Sequence, residues 1–311
     1  MPASTVRSEL LAQRVDRFTK TLHGVAQGDV RALHRARVAS RRLRELLPTL
    51  QLKDASVVRK LGKRLRKVTA RLGEVRELDV LVLLIDELHV SRRVRSSAVS
   101  RVGVAVAHER DESRKRMLER LPIEEMRRIA RKLGAVAAEL AKADEDGSGS
   151  RRADRSWRWV IQARVVRRAS HLTDAIEAAG SVYLPERLHA ARIALKKLKY
   201  AAELSADTTG EPGDAALRVL ARGQDLLGRM HDMQMLLDRV RQLQASLTPP
   251  NLPVWRDLDV LVVSIEDDCR RLHGRYMRAR DGIAALAARL SGADKGRSSA
   301  RAVDTRPVKA G

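Results

Sequence analysis

Aromatic residues are scarce in this chain: one Phe, three Trp and three Tyr among 311 residues. Proteins that read single-stranded nucleic acid stack bases on aromatic rings set between cations, so this sequence offers little surface for such recognition. Cysteine occurs once, at Cys269, which excludes an internal disulfide and fits a small residue on a helix. The longest apolar run, Val80 to Ile85, is six residues, against the roughly 20 that a membrane-spanning helix needs. Met1 to Glu9 lacks the apolar core of a secretory leader, so a cytoplasmic, soluble protein is expected, without membrane association. Prolines number nine, and no segment alternates apolar and polar residues with turns at hairpin spacing. The expected fold class is therefore all-α.

What the chain has in excess is positive charge. Sixty-two Lys and Arg against 39 Asp and Glu give a formal net charge of +23 and a pI near 11.2. Such an imbalance sets the compact state against itself, and a polyanionic partner relieves the repulsion. With so few rings to stack, a target made of phosphate fits better than one whose bases are read.

The cations are also patterned. Leu33-His34-Arg35-Ala36-Arg37-Val38-Ala39-Ser40-Arg41-Arg42-Leu43-Arg44 returns as Leu188-His189-Ala190-Ala191-Arg192-Ile193-Ala194-Leu195-Lys196-Lys197-Leu198-Lys199, 155 residues later. His34 pairs with His189, Arg37 with Arg192, Arg41 with Lys196, Arg42 with Lys197 and Arg44 with Lys199. At about 100° per residue, His34, Arg37, Arg41 and Arg44 fall within roughly 80° on one helix face, opposite Ala36, Ala39, Leu43, Leu47 and Leu50. Arg42 and Lys197 sit about 100° off that stripe. A second motif keeps the same offset: Leu72-Gly73-Glu74-Val75-Arg76-Glu77-Leu78-Asp79 matches Leu227-Gly228-Arg229-Met230-His231-Asp232-Met233-Gln234. Two motifs in one register point to an internal duplication. A further ladder, Lys60, Lys63, Lys67 and Arg71, recurs in part, with Lys63 and Lys67 matching Arg218 and Arg222; Lys60 meets Ala215. Arg76 lies toward the apolar side of its helix, where an internal pair with Asp79 or a contact across the bundle is expected ahead of ligand contact.

Periodicity predicts helices over about 4–23, 29–52, 54–89, 92–120, 122–142, 156–179, 185–206, 214–247 and 254–290, with Asp29 as an N-cap. The expected organisation is a first helical bundle over 1–143, a flexible linker at 144–155, a second bundle over 156–291, and a disordered basic tail at 292–311.

The paired His-x-x-Arg-x-x-x-Arg-Arg-Leu-Arg and Leu-Gly-x-x-Arg-Glu-Leu-Asp-Val-Leu patterns resemble those of the CHAD domain, the conserved-histidine α-helical domain, over residues 5 to 290. The resemblance implies two pseudo-symmetric antiparallel four-helix bundles and a basic central groove that binds inorganic polyphosphate, with association to polyphosphate granules. The Glu-x-Glu-x-Lys signature of the CYTH domain fused to some members is missing, so a stand-alone CHAD protein is expected.

A polyphosphate chain presents repeating acceptor oxygens, and arginine and lysine donate charge-assisted bonds to them from ladders spaced three to four residues apart. The expected contacts are His34, Arg37, Arg41, Arg42, Arg44, Lys63 and Lys67, with His189, Arg192, Lys196, Lys197, Lys199, Arg218 and Arg222. No cofactor or metal is expected. The matched motifs carry cations rather than metal-binding carboxylates, and no phosphate-binding Gly-rich loop or His-Glu-x-x-His is found, so the chain is expected to bind and not to catalyse. The alternative is a nucleic-acid-associated architectural protein using the same basic surface, with a phosphohydrolase less favoured.

Overall fold

The computed structural model of the chain describes residues 7–52, 54–91, 94–120, 123–145, 150–209, 214–247 and 251–292. Among these the regular structure is helical throughout, as expected. The helices are α1 (Arg7–Thr19), α2 (Leu22–Ala26), α3 (Val30–Leu46), α4 (Ala55–Ser91), α5 (Ser96–Arg120), α6 (Ile123–Glu145), α7 (Ser150–Ala179), α8 (Pro185–Thr209), α9 (Asp214–Ala245) and α10 (Leu252–Ser291).

Local chemistry sets several of these ends. Asp29 caps α3, its carboxylate accepting from the amides of Arg31 and Ala32. The motif helix then stops at Leu46 and tightens into a 3-10 turn, Leu47–Thr49, around Pro48, which cannot continue an α-helix. The first helix, expected to run to about residue 23, ends at Thr19, and Gly24 lies inside α2. There α2 crosses α3 so closely that a Cβ on Gly24 would stand 2.5 Å from that of Ala32. The chain breaks at Lys20 and Thr21 instead, where the Thr21 hydroxyl donates to the carbonyl of Phe18.

The expected linker at 144–155 is a difference. α6 runs to Glu145 and α7 begins at Ser150, so most of that stretch is helical, and residues 146–149 lie outside the described residues. Residues 151–155 contain no Gly or Pro, and nothing in them opposes a helix. The expected tail lies outside the described residues from 293 onward.

The chain divides into two compact units, and not at 144–155. One comprises Met1–Trp157 and Arg229–Arg271, the other Arg158–Gly228 and Leu272–Gly311. α9 and α10 are long enough to serve both. In the first unit α1, α3, α4 and α6 pack around Leu11, Phe18, Leu33, Leu43, Leu65 and Leu72, all fully buried, and α5 packs along α4. Arg229 pairs with Glu87, Arg239 with Glu109 at 2.6 Å and Arg95 with Asp257 at 3.1 Å, which fastens the last part of α9 and the first of α10 to α4 and α5. In the second unit α8, α9 and α10 meet at Gly223, where an added Cβ would lie 2.8 Å from Leu195 Cδ1 and 2.7 Å from Ile283 Cδ1. α7 joins them with Ile161, Val165, Leu172 and Ile176 buried.

Candidate functional site

The first copy of the motifs folds into one antiparallel pair. Ser40 on α3 and Thr69 on α4 share a buried hydrogen bond of 2.9 Å. The guanidinium of Arg37 lies over Gly73, 3.4–3.9 Å from where a Cβ would be. Arg44 feels the charge of Arg66, and His34 that of Arg76. These four pairings share one register, in which the two residue numbers sum to 109 or 110, as two helices running in opposite directions require. The buried face of α3 beneath them is Leu33, Ala36, Ala39, Ser40 and Leu43.

Five arginines and one imidazole therefore line this seam: His34, Arg37, Arg41 and Arg44 from α3, with Arg66 and Arg76 from α4. Burial and the neighbouring charges act on two of them, His34 and Arg44. The imidazole of His34 is held below its ordinary pKa, first by partial desolvation and then by Arg76, Arg37, Arg35 and Arg41. Arg44 is likewise pulled down by burial, then by Arg66 and Arg41, with Glu45 opposing. A row of cations crowded in this way is stabilised by any anion laid along it.

Asp79 anchors the far end. It is 4% exposed, and burial raises its pKa against the opposing charges of Arg114, Arg76 and Arg110. Its ion pair is with Arg114 of α5, at 3.7 Å, in place of the pair with Arg76 that helical spacing suggests. Arg76 stands within the field of both Asp79 and His34, so it belongs to the seam.

The structure sorts the expected contacts. His34, Arg37, Arg41 and Arg44 come together. Arg42 lies off the row, its backbone carbonyl accepting from buried Arg14 at 2.9 Å, which ties α1 to α3. Lys63 and Lys67 are exposed on α4, turned about 60–100° beyond Arg66 and away from α3. Arg66 is not among the expected contacts, and for Arg76 ligand contact is placed behind an internal pair or a contact across the bundle. Neither keeps a basic chain partner at the 155-residue offset that is arginine or lysine, since the matching residues are Ala221 and His231. The signal that finds them is the antiparallel register of α3 on α4.

In the second unit His189, Arg192, Lys196 and Lys199 are half-buried along α8, and Arg218 and Arg222 are exposed on α9. Lys199 pairs with Glu203 at 3.7 Å. Lys197 is set apart: with Arg168, His171, Ala190, Ile193 and Ala194 it lines a cavity of about 310 Å³ between α7 and α8. Among the described residues no three His, Cys, Asp or Glu side chains gather as a metal site would require. No helix among them is long and apolar enough to cross a membrane.

Fold and seam together define an all-helical protein with a row of basic side chains along the antiparallel pair of α3 and α4. The CHAD domain family model matches residues 9–241, and the chain belongs to the CHAD domain family, a polyphosphate-related family. Two solved structures share the fold. One is the CHAD domain from the plant Ricinus communis, at 20% identity and a TM-score of 0.59, covering 92% of this chain and 93% of that one. The other is PptA from Streptomyces chartreusis, at 18% identity and a TM-score of 0.61, covering 88% and 97%. No curated protein gives a significant match.

Proposed function

We propose that this protein binds inorganic polyphosphate through the cation rows of its two motif-bearing helix pairs, and that it acts as a binder without cleaving the chain. The observation that carries this reading is the seam of α3 and α4. Five arginines, Arg37, Arg41 and Arg44 of α3 with Arg66 and Arg76 of α4, stand along it beside His34, where burial and neighbouring charge lower the pKa of His34 and Arg44. A linear polyanion with about one charge per phosphate relieves that repulsion along its whole length, whereas a small anion relieves it at one point. α3 and α4 contain no Phe, Trp or Tyr, so bases gain nothing by entering the seam. Association with polyphosphate granules follows from such binding.

The test is a titration with polyphosphate of graded chain length at about 50 and about 500 mM salt, with duplex DNA as competitor at equal phosphate. Affinity that climbs with chain length, falls steeply with salt and resists DNA supports the proposal. Salt-independent binding, or displacement of polyphosphate by DNA, rejects it. Release of orthophosphate in the presence of Mg²⁺ or Mn²⁺ would reject the non-catalytic part.

A further inference from the structure

The first turns of α10 run against the net charge of the chain. Between residues 252 and 271 stand five acidic and three basic residues, in a chain of net charge +23. One face of this segment packs into the first unit through Leu258, Leu261, Val262 and Ile265, all at most 8% exposed. The other face leaves four large apolar side chains in solvent: Leu252 at 64%, Trp255 at 45%, Val260 at 56% and Val263 at 49%. Single exposed apolar residues need no explanation, but four on one face over about three turns form a stripe.

The stripe is self-complementary. On the helix wheel Leu252, Asp259 and Val263 lie within roughly 40° of one another, Arg256 and Val260 flank them on one side and Trp255 on the other. Consider a second copy of α10 laid antiparallel, about a two-fold axis passing between residues 257 and 258. Leu252 then meets Val263 of the second copy, and Arg256 meets Asp259 of the second copy. A two-fold of this kind keeps each flank on its own side, so Trp255 approaches Trp255 of the second copy along one edge and Val260 its own equivalent along the other. Apolar and ionic pairs fall into place in the same register, which is what an isologous contact demands. Among the described residues neither Arg256 nor Asp259 has an ion-pair partner within its own chain. The local acidity matters as well, because a strongly cationic chain can bring two copies together only where its positive charge is absent.

We infer that the exposed face of α10 at Leu252, Trp255, Arg256, Asp259, Val260 and Val263 is a homodimer interface, formed by antiparallel pairing with a second copy of this chain. A contact of three helical turns is at the small end of specific interfaces, so the dimer is expected to be a weak, reversible one. It uses none of the cations assigned above to polyphosphate, and it stands or falls independently of that reading.

Sedimentation velocity on the full chain from about 1 to about 200 µM tests it. The expected result is a monomer–dimer equilibrium, abolished in this range by Val263→Glu. Arg256→Asp and Asp259→Arg should each weaken the dimer at least about tenfold, by placing like charges opposite each other twice. The double variant R256D/D259R should restore it to within about threefold, since the pair is merely exchanged across the axis. None of the three positions is buried, and circular dichroism melts should superimpose on that of the parent. A parent chain that stays monomeric throughout overturns the inference, even if it associates with some other protein. So does a double variant no better than its singles, which would place a different register or surface at the contact.

Discussion

The two motif-bearing helix pairs, α3 with α4 and α8 with α9, share a pattern and differ in what lies beneath it. In the first pair Gly73 sits under the Arg37 guanidinium; at the matching Gly228 nothing lies within 4 Å of the missing Cβ. Where Ser40 bonds Thr69 across α3 and α4, the second copy has Leu195, fully buried and packed against Gly223. Where Arg44 is crowded by Arg66 and Arg41, Lys199 pairs with Glu203. Asp79, with its ion pair to Arg114, corresponds to Gln234. The lesson is that a repeated motif preserves a charge row without preserving its support. The first pair adds a buried Ser40–Thr69 hydrogen bond and an arginine seated over a glycine to its apolar interior, whereas the second has leucine against glycine and a carboxylate at one end of its row.

The largest effect that separates the two is on polyphosphate affinity. Reversing Arg37 and Arg41 together to Glu should weaken binding on the order of 100-fold near 0.15 M salt, and reversing Arg192 and Lys196 nearer tenfold. Both should also flatten the dependence of affinity on salt. Equal losses would show that the differences beneath the rows do not reach the ligand, and a larger loss from the second pair would invert the ranking. Next comes stability. Asp79→Ala leaves the partly buried Arg114 without its carboxylate and should lower unfolding free energy by roughly 3 kcal/mol in urea, whereas Gln234→Ala should change it by less than about 1 kcal/mol. If both variants unfold alike, Asp79 is not an anchor of the first pair.

Much of this was legible beforehand because helices obey short-range rules. The cap at Asp29 and the start of α8 at Pro185 follow from helix-start chemistry, and the buried stripe of Leu61, Leu65, Val68 and Leu72 and the row of His34, Arg37, Arg41 and Arg44 follow from the 3.6-residue repeat. Family membership followed from the motifs. The packing of one helix on another was not legible, since it depends on register. That is why Arg66 is absent from the expected contacts and Arg76 is ranked below an internal pair, while Lys63 and Lys67 are included: the repeated motifs select residues that recur in sequence, and the seam selects those that face α3. The course of α9 and α10 through both units escaped for a related reason, as nothing along a uniform 32- or 40-residue helix marks where its neighbours change.

A smaller contrast tests the glycines. An alanine at 228 finds open space and should add about 1 kcal/mol of helix stability with affinity unchanged. An alanine at 73 comes into van der Waals contact with Arg37, so part of that gain should be lost and polyphosphate affinity should fall about threefold. Matching behaviour at the two positions would mean that Arg37 does not depend on the gap beneath it.

The finest distinction is carried by the proton on His34. Burial and four arginines hold its pKa below the unfolded value of about 6.5, so the unfolded chain takes up the proton first. The contribution of His34 to stability is therefore fully present above that value, and is lost as pH falls through it toward the depressed folded pKa. Binding has the opposite sign. Phosphates laid against the ring favour imidazolium and raise its pKa, so the complex takes up a proton that the free protein does not hold. Affinity should rise a few-fold between about pH 7.5 and about pH 5.5 while the free protein grows less stable over the lower part of that range. His34→Gln should flatten both trends together. A variant that flattened the stability profile alone would leave His34 as a packed residue of α3, outside the ligand's reach.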